Sequence, residues 1–378
     1  MHAKRLLLFL IILALGVAAA LWWRGRGTRG SDRGLSQRQT SLEGGEHTAP
    51  VPEKTSLFHQ PTAADWAQLQ RLPQLQTADE VEQTLRAVYA LSDVWQQWVQ
   101  LTPAQLRVKT SSDALTDSWL ELGLAPAGTT AQSAAVPGAK PPAGRWWRKA
   151  SELPPVSGEK VLAGLKIAID PGHIGGNWAA MEERRFVVNG GKPVAEGDMT
   201  LQVARILQSQ LEALGASVQL VRATAEPTTN WRPQTIRDSL RAHPLSQLPL
   251  TETVDAEKLF YRTAEIHARA ERVNRQIQPD LVLCLHFDAV AWGNPDHPSL
   301  VDANHLHLIV HGAFTDDEWA EPDQRFALMK KLLTGVNAEE IALSQAVAAT
   351  MAEATQLPAY TYDPVSYTHL TLPTKRIV

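Results

Sequence analysis

The sequence predicts an α/β protein built on a mainly parallel sheet flanked by helices, preceded by an N-terminal membrane segment and a small α+β module. Three observations carry that expectation. Residues 165–169 and 281–286 are short, almost wholly apolar runs, the form taken by strands buried on both faces. Between them Leu201, Ala204, Leu207, Leu211 and Leu214 form a helical stripe that Gly215 terminates, and another apolar stretch follows over 216–222. Strand, helix, strand, helix, strand implies parallel pairing with right-handed crossovers.

The 378 residues are 44% hydrophobic and 20% charged, which is globular composition with room for one large or two modest domains. A net charge of −4 leaves no basic footprint for nucleic acid. The single cysteine, Cys284, excludes an internal disulfide and any cysteine-rich zinc site.

At the N-terminus, Lys4 and Arg5 precede an apolar run from Leu6 to Trp23. That length reaches the ~18 residues that read as a membrane span. Trp22 and Trp23 would anchor it at the interface. Residues 1–23 are therefore expected to be an uncleaved signal anchor, with 6–23 in the membrane. The alternative is a cleaved signal peptide, since Ala18-Ala19-Ala20 offers a small-x-small site. Either reading suggests export.

Residues 24–55 are rich in Arg, Gly, Ser, Gln, Glu and Thr and read as a flexible linker. Residues 56–124 read as the small α+β module. Thr77-Ala-Asp-Glu80 has capping-box form, and Val81, Leu85, Val88 and Tyr89 follow at helical spacing. Residues 106–109 and 119–124 alternate like strands. Trp66, Trp95, Trp98 and Trp119 read as core rather than as a carbohydrate-stacking surface. Residues 125–157 form a second linker.

The main domain is expected over 158–364. Strand 165–169 ends in Asp170-Pro171-Gly172, which stops it and delivers His173 at its carboxyl end. Helix 199–214 follows, with Glu196 just ahead of it, then strand 216–222 and a polar insertion over 226–256. Helix 256–277, strand 281–286, strand 306–310 and helix 338–354 complete the pattern. In open α/β sheets, ligands bind beyond the carboxyl ends of the strands. His173 and His286 leave two such ends, and the helix carrying Glu196 must start near the same edge. Two imidazoles and a carboxylate are a recurrent zinc set with a fourth position for water.

These residues stand in an ordered series: Ile169-Asp-Pro-Gly-His173-Ile-Gly-Gly176, Glu196-Gly-Asp-Met-Thr-Leu201, Leu220-Val-Arg222, Arg269 and Asn274, and Leu283-Cys-Leu-His286-Phe-Asp-Ala289. Over about 164–355 the series resembles the zinc-dependent N-acetylmuramoyl-L-alanine amidases of the bacterial cell wall. The resemblance implies Zn2+ held by His173, Glu196 and His286, peptidoglycan as substrate, and a periplasmic or otherwise extracytoplasmic place in the bacterial envelope. It also implies a catalytic Glu on a late strand beyond the helix ending near Thr355. No such Glu is assigned, and residues 365–378 have no match to the family. That tail is read as foreign or frame-shifted sequence, which leaves the catalytic domain incomplete. Leu285-His286-Phe287-Asp288 replaces the family's Ile-His-Ala-Asn. Two other classes stay open, a non-catalytic peptidoglycan-binding relative and a zinc peptidase acting on stem peptides. A protein activator also stays open.

Other residues carry weaker signals. Glu182 and Glu183 are rivals of Glu196 in a loop that could fold over the site. Asp170 either orients a ligand histidine from behind or caps the turn. Arg269 either holds a substrate carboxylate or pairs on the helix surface, and the surface is expected. His305 and His307 would share one face of strand 306–310, which reads as an ordinary strand rather than a metal pair, with His311 beyond it. Cys284 reads as a small buried hydrophobe. Gly175-Gly176 lacks the Gly-Lys-Ser of a phosphate loop. Glu318, Glu339 and Glu340 lie in the wrong context for a general base.

Overall fold

The computed structural model describes residues 60–360 apart from short stretches, the longest being 130–136, 243–255 and 288–301. The expected membrane segment, the first linker and residues 365–378 lie outside the described residues. Among the described residues, no helix is long and apolar enough to cross a membrane.

Two helices open the described chain, α1 (Ala63–Leu69) and α2 (Ala78–Thr84). Both start in capping boxes, Thr62 with Asp65 and Thr77 with Glu80, so orphan N–H groups at each start are satisfied by side chains. Strands β1 (Val99–Thr102), β2 (Gln105–Lys109) and β3 (Trp119–Gly123) form an antiparallel sheet beside them. Trp66, Trp95 and Trp98 are buried in this core. Trp119 is half-buried, with the Arg107 guanidinium and the Lys109 ammonium over its ring.

The core of this first body is completed from far along the chain. Phe314, Trp319, Leu328, Met329, Leu332 and Leu333 pack into it. They come from α6 (Asp316–Ala320) and α7 (Pro322–Thr334), with Phe314 just ahead of them. No helix was expected at α7, although Pro322 at its first turn and left-handed Gly335 at its end are start and stop signals. Arg325 on α7 donates to the carbonyls of Lys109, Ser111 and Trp319, and its guanidinium lies 4.2 Å from the Trp98 ring centroid.

The second body has the expected parallel sheet. Its described strands are β4 (Lys166–Pro171), β7 (Ser217–Leu220) and β8 (Leu281–Leu285), in the order β7-β4-β8 and all parallel. A small antiparallel ladder, β5 (Arg185–Phe186) with β6 (Val194–Ala195), precedes α3 (Glu196–Ala213). Side chains alternate across β4. Ile167 and Ile169 pack against Leu201, Ala204, Leu207 and Leu211 of α3, while Ala168 packs with Val273 and Ile277. The latter two belong to α5, residues 256–277, in which Leu259–Ala264 and Arg272–Ile277 are wider π turns on either side of Glu265–Glu271. The 226–256 insertion is not wholly polar coil: it contains α4 (Pro233–Ala242), whose Ile236 packs with Ile174 and Phe260.

Three expectations are corrected. β4 runs on through Asp170 and Pro171, which pair with Cys284 and Leu285, so the strand ends at Pro171 rather than at residue 169. α3 starts at Glu196, three residues before the expected 199, so Glu196 is its first residue rather than ahead of it. Residues 306–310 are not a strand. Only Leu306 pairs, donating to the Pro358 carbonyl and accepting from the Tyr360 N–H. Pro358 has no N–H to extend that pairing. The 338–354 helix is present as α8 (Val336–Thr355).

Part of the 125–157 stretch is tied to the sheet. Arg148 pairs with Asp280, and Asp280 also accepts from the Lys166 N–H. Burial pushes the Asp280 carboxyl up, but the Arg148 and Lys166 hydrogen bonds outweigh it and hold it below the usual range. A depressed folded pKa stabilises above the unfolded value of ~3.9 and loses that contribution as pH falls through the folded one. Asp280→Asn is therefore expected to cost about 1–3 kcal/mol at neutral pH. The gap from wild type should close in denaturation curves taken below about pH 4. A gap unchanged by acid would refute the assignment.

Candidate metal centre

The carboxyl ends of β4 and β8 lie side by side, with Pro171 opposite Leu285. His173 therefore leaves β4 next to where His286 leaves β8. Glu196, at the first position of α3, reaches both. Its Oε2 is 3.5 Å from His173 Nε2 and its Oε1 is 3.2 Å from His286 Nδ1. The imidazole rings stand edge to face, with centroids 4.9 Å apart. One ligand atom from each of the three residues lies within 4.8 Å of the others, so the group could hold a metal ion. The two separations run to different oxygens of Glu196, so the carboxylate faces both imidazoles at once. His286 Nε2 is also buried without a hydrogen-bond partner.

The charges around the group are arranged in depth. Burial would raise the Glu196 pKa, but the hydrogen bond with His286, the charge of His173 and the Phe287 N–H outweigh it, so the carboxyl stays below its usual range. Glu182 accepts from the Ile174 N–H at 2.7 Å and faces His173 Nδ1 at 3.6 Å. Glu182 thus lies behind one histidine rather than among the three grouped side chains. Glu183 is exposed and takes a left-handed conformation, φ 57°.

Two buried arginines hold the turn between β4 and His173. Arg269 is not on the helix surface, as the sequence suggested, but 3% exposed. It donates to Glu265 (2.7 Å), Asp170 (3.0 Å) and the carbonyls of Pro171 (2.8 Å) and His173 (2.7 Å). Asp170 thus has Arg269 as its ion-pair partner, and burial holds its pKa above the ordinary value despite that charge. Arg222 donates to the carbonyls of Pro171 (3.2 Å) and Gly197 (2.7 Å), tying the β4 exit to the start of α3. Burial brings its guanidinium down to about 10. The Thr200 hydroxyl adds a bond to the Gly172 carbonyl at 2.8 Å.

The glycines are explained by close approach. A Cβ on Gly172 would lie 2.3 Å from His286 Cε1, one on Gly175 would lie 2.2 Å from Asp198 Oδ1, and one on Gly197 would lie 2.2 Å from the Ile174 carbonyl oxygen.

The remaining candidates lie elsewhere. His305 and His307 flank the Tyr360 ring, edge-on at 5.6 Å and stacked at 4.3 Å. His311 contacts Lys331, which pairs with Glu340. Glu318 caps α6, and Glu339 accepts from the Ala150 N–H. Cys284 is half-buried on β8.

The fold and the site define an α/β protein with a parallel sheet and a two-histidine, one-carboxylate group at its carboxyl edge that could hold a metal ion. No protein-family model, no curated protein and no solved structure matches the chain.

Proposed function

We propose that the chain is a zinc-dependent hydrolase of the bacterial cell envelope. It cleaves the amide between the muramic acid lactyl group and L-alanine in peptidoglycan. The observation that carries this reading is the convergence of His173, Glu196 and His286 at one edge of the parallel sheet. Zinc bound by such a set lowers the pKa of its water to about 7 and polarises a carbonyl oxygen.

The chain's own residues set up that chemistry. The two imidazoles and the carboxylate supply the ligand atoms. Glu182, facing Nδ1 of His173, favours one ring orientation. Arg222 and Arg269 fix the backbone from which His173 projects. The catalytic Glu that the amidase resemblance expects beyond α8 has no candidate here, because residues 356–378 contain no Glu.

The test is metal content and product analysis on the full chain and on His173→Ala. The expected result is about one zinc per chain, lost in the variant, with stem peptides bearing free L-alanine amino termini released from purified sacculi by a chain that carries a catalytic Glu after α8, and only poorly by this one. Zinc without release favours a peptidoglycan-binding relative. A new α-carboxylate within the stem favours a zinc peptidase. A folded wild-type chain that takes no zinc overturns the metal reading.

A further inference from the structure

We propose that Arg184 binds an anionic oxygen of the substrate beside the metal-ligand group, an inference that rests on the hydrolase reading above. Arg184 follows a sharp turn in which Glu183 takes φ 57°. That turn lets the residues on either side, Glu182 and Arg184, both point inward, one to His173 and the other to Glu196. Backbone bonds lock the placement. The Arg184 N–H donates to the Ala179 carbonyl at 2.8 Å, and the Glu196 N–H donates to the Arg184 carbonyl at 3.0 Å.

The guanidinium forms a loose ion pair with Glu196. Its Nε is buried without a hydrogen-bond partner, and Glu196 Oε2 lies 3.8 Å away, too far for a bond. Arg269 differs, with its Nε bonded to Glu265 and its other nitrogens to Asp170 and the carbonyls of Pro171 and His173. Exposure also separates them. The Glu182 and Glu196 side chains are 5% and 8% exposed, whereas Arg184 is 35% and His286 25% exposed. Arg184 and His286 therefore form the solvent side of the group, from which a substrate arrives. A planar, partly exposed guanidinium next to the candidate metal-ligand carboxylate suits a carboxylate or a developing oxyanion. In amide cleavage, attack of water oxygen on the carbonyl carbon moves the carbonyl π electrons onto oxygen. Arg184 would stabilise that negative oxygen until the C=O bond re-forms and the C–N bond breaks, the amine leaving with a proton from the attacking water and the water oxygen staying in the new carboxylate.

Inorganic phosphate is the probe, titrated by calorimetry into the full chain, with Arg184→Met, Arg184→Lys and zinc content read on the same samples. The expected result is phosphate binding weakened about tenfold or more in Arg184→Met, partly kept in Arg184→Lys, with zinc content unchanged. Equal phosphate binding in Arg184→Met and wild type overturns the proposal. Loss of zinc together with phosphate in Arg184→Met also overturns it, because Arg184 then only holds Glu196. Zinc content of wild type separates a failure of the hydrolase reading from a failure of this one. Kinetics identify the oxygen. With muramoyl-L-alanine amides with and without a free carboxylate, a fall of about 10²-fold in kcat on both assigns Arg184 to the oxyanion. A rise in KM confined to the charged compound assigns it to a stem-peptide carboxylate.

Discussion

Arg269→Met will cost about 3–5 kcal/mol of stability, read as a fall in the denaturant midpoint at constant slope. The side chain is 3% exposed and sits between Asp170 and Glu265, both themselves buried. Methionine fills much of the volume but leaves two carboxylates without their cation, and stranding buried charge is among the largest single-residue penalties. The variant also removes the donors to the carbonyls of Pro171 and His173, so the exit of β4 loosens where the candidate ligand begins. Adding Glu265→Gln should recover part of the loss, since that second change removes one stranded charge. If the double variant is no better than Arg269→Met alone, packing rather than charge accounts for the cost.

At the proposed metal site, Gly172→Ala is expected to weaken metal binding by about 10–100-fold while leaving the fold intact. The added methyl would stand 2.3–2.6 Å from three atoms of the His286 ring, far inside contact distance. The ring cannot stay where it is. It must rotate away from Glu196, or β4 and β8 must part at their ends, where the Gly172 N–H donates to the Leu285 carbonyl at 2.8 Å. Either response moves His286 relative to His173, and a tetrahedral site tolerates little displacement of its ligand atoms. Chelator competition measures the affinity, and circular dichroism checks the fold. Unchanged affinity would show that the ring does not need its observed place over Gly172.

Much of this architecture was legible in local sequence. The continuous apolar runs ending at Asp170 and His286 have the pattern of fully buried strands, and such strands pair in parallel when helices join them. The stripe from Leu201 to Leu211 likewise specified the face of α3 that meets β4. Those periods bring His173, Glu196 and His286 to one sheet edge, and the structure brings them together there. Helix α7 was missed because its apolar residues serve the core of the first body, over 200 residues earlier in the chain, rather than the sheet. The apolar residues at 306–310 suggested a strand, yet only Leu306 pairs there.

What the sequence by itself determined is where the paired strands of the parallel sheet and the helix between them lie, because periodicity and turn residues act over a few neighbours. What only the tertiary structure decided is the use of the charged residues around the strand ends. Arg269, in the middle of a helix, reads as a solvated cation until Asp170, 99 residues away, lies 3.0 Å from it. Glu182 reads as a loop residue, and Arg184 carries no sequence signal, until one turn aims both inward. A charged side chain is neutral evidence in one dimension, since water solvates it anywhere on a surface. Its role is settled only when folding removes the water and leaves a specific partner, or an open place for one, within a few ångströms.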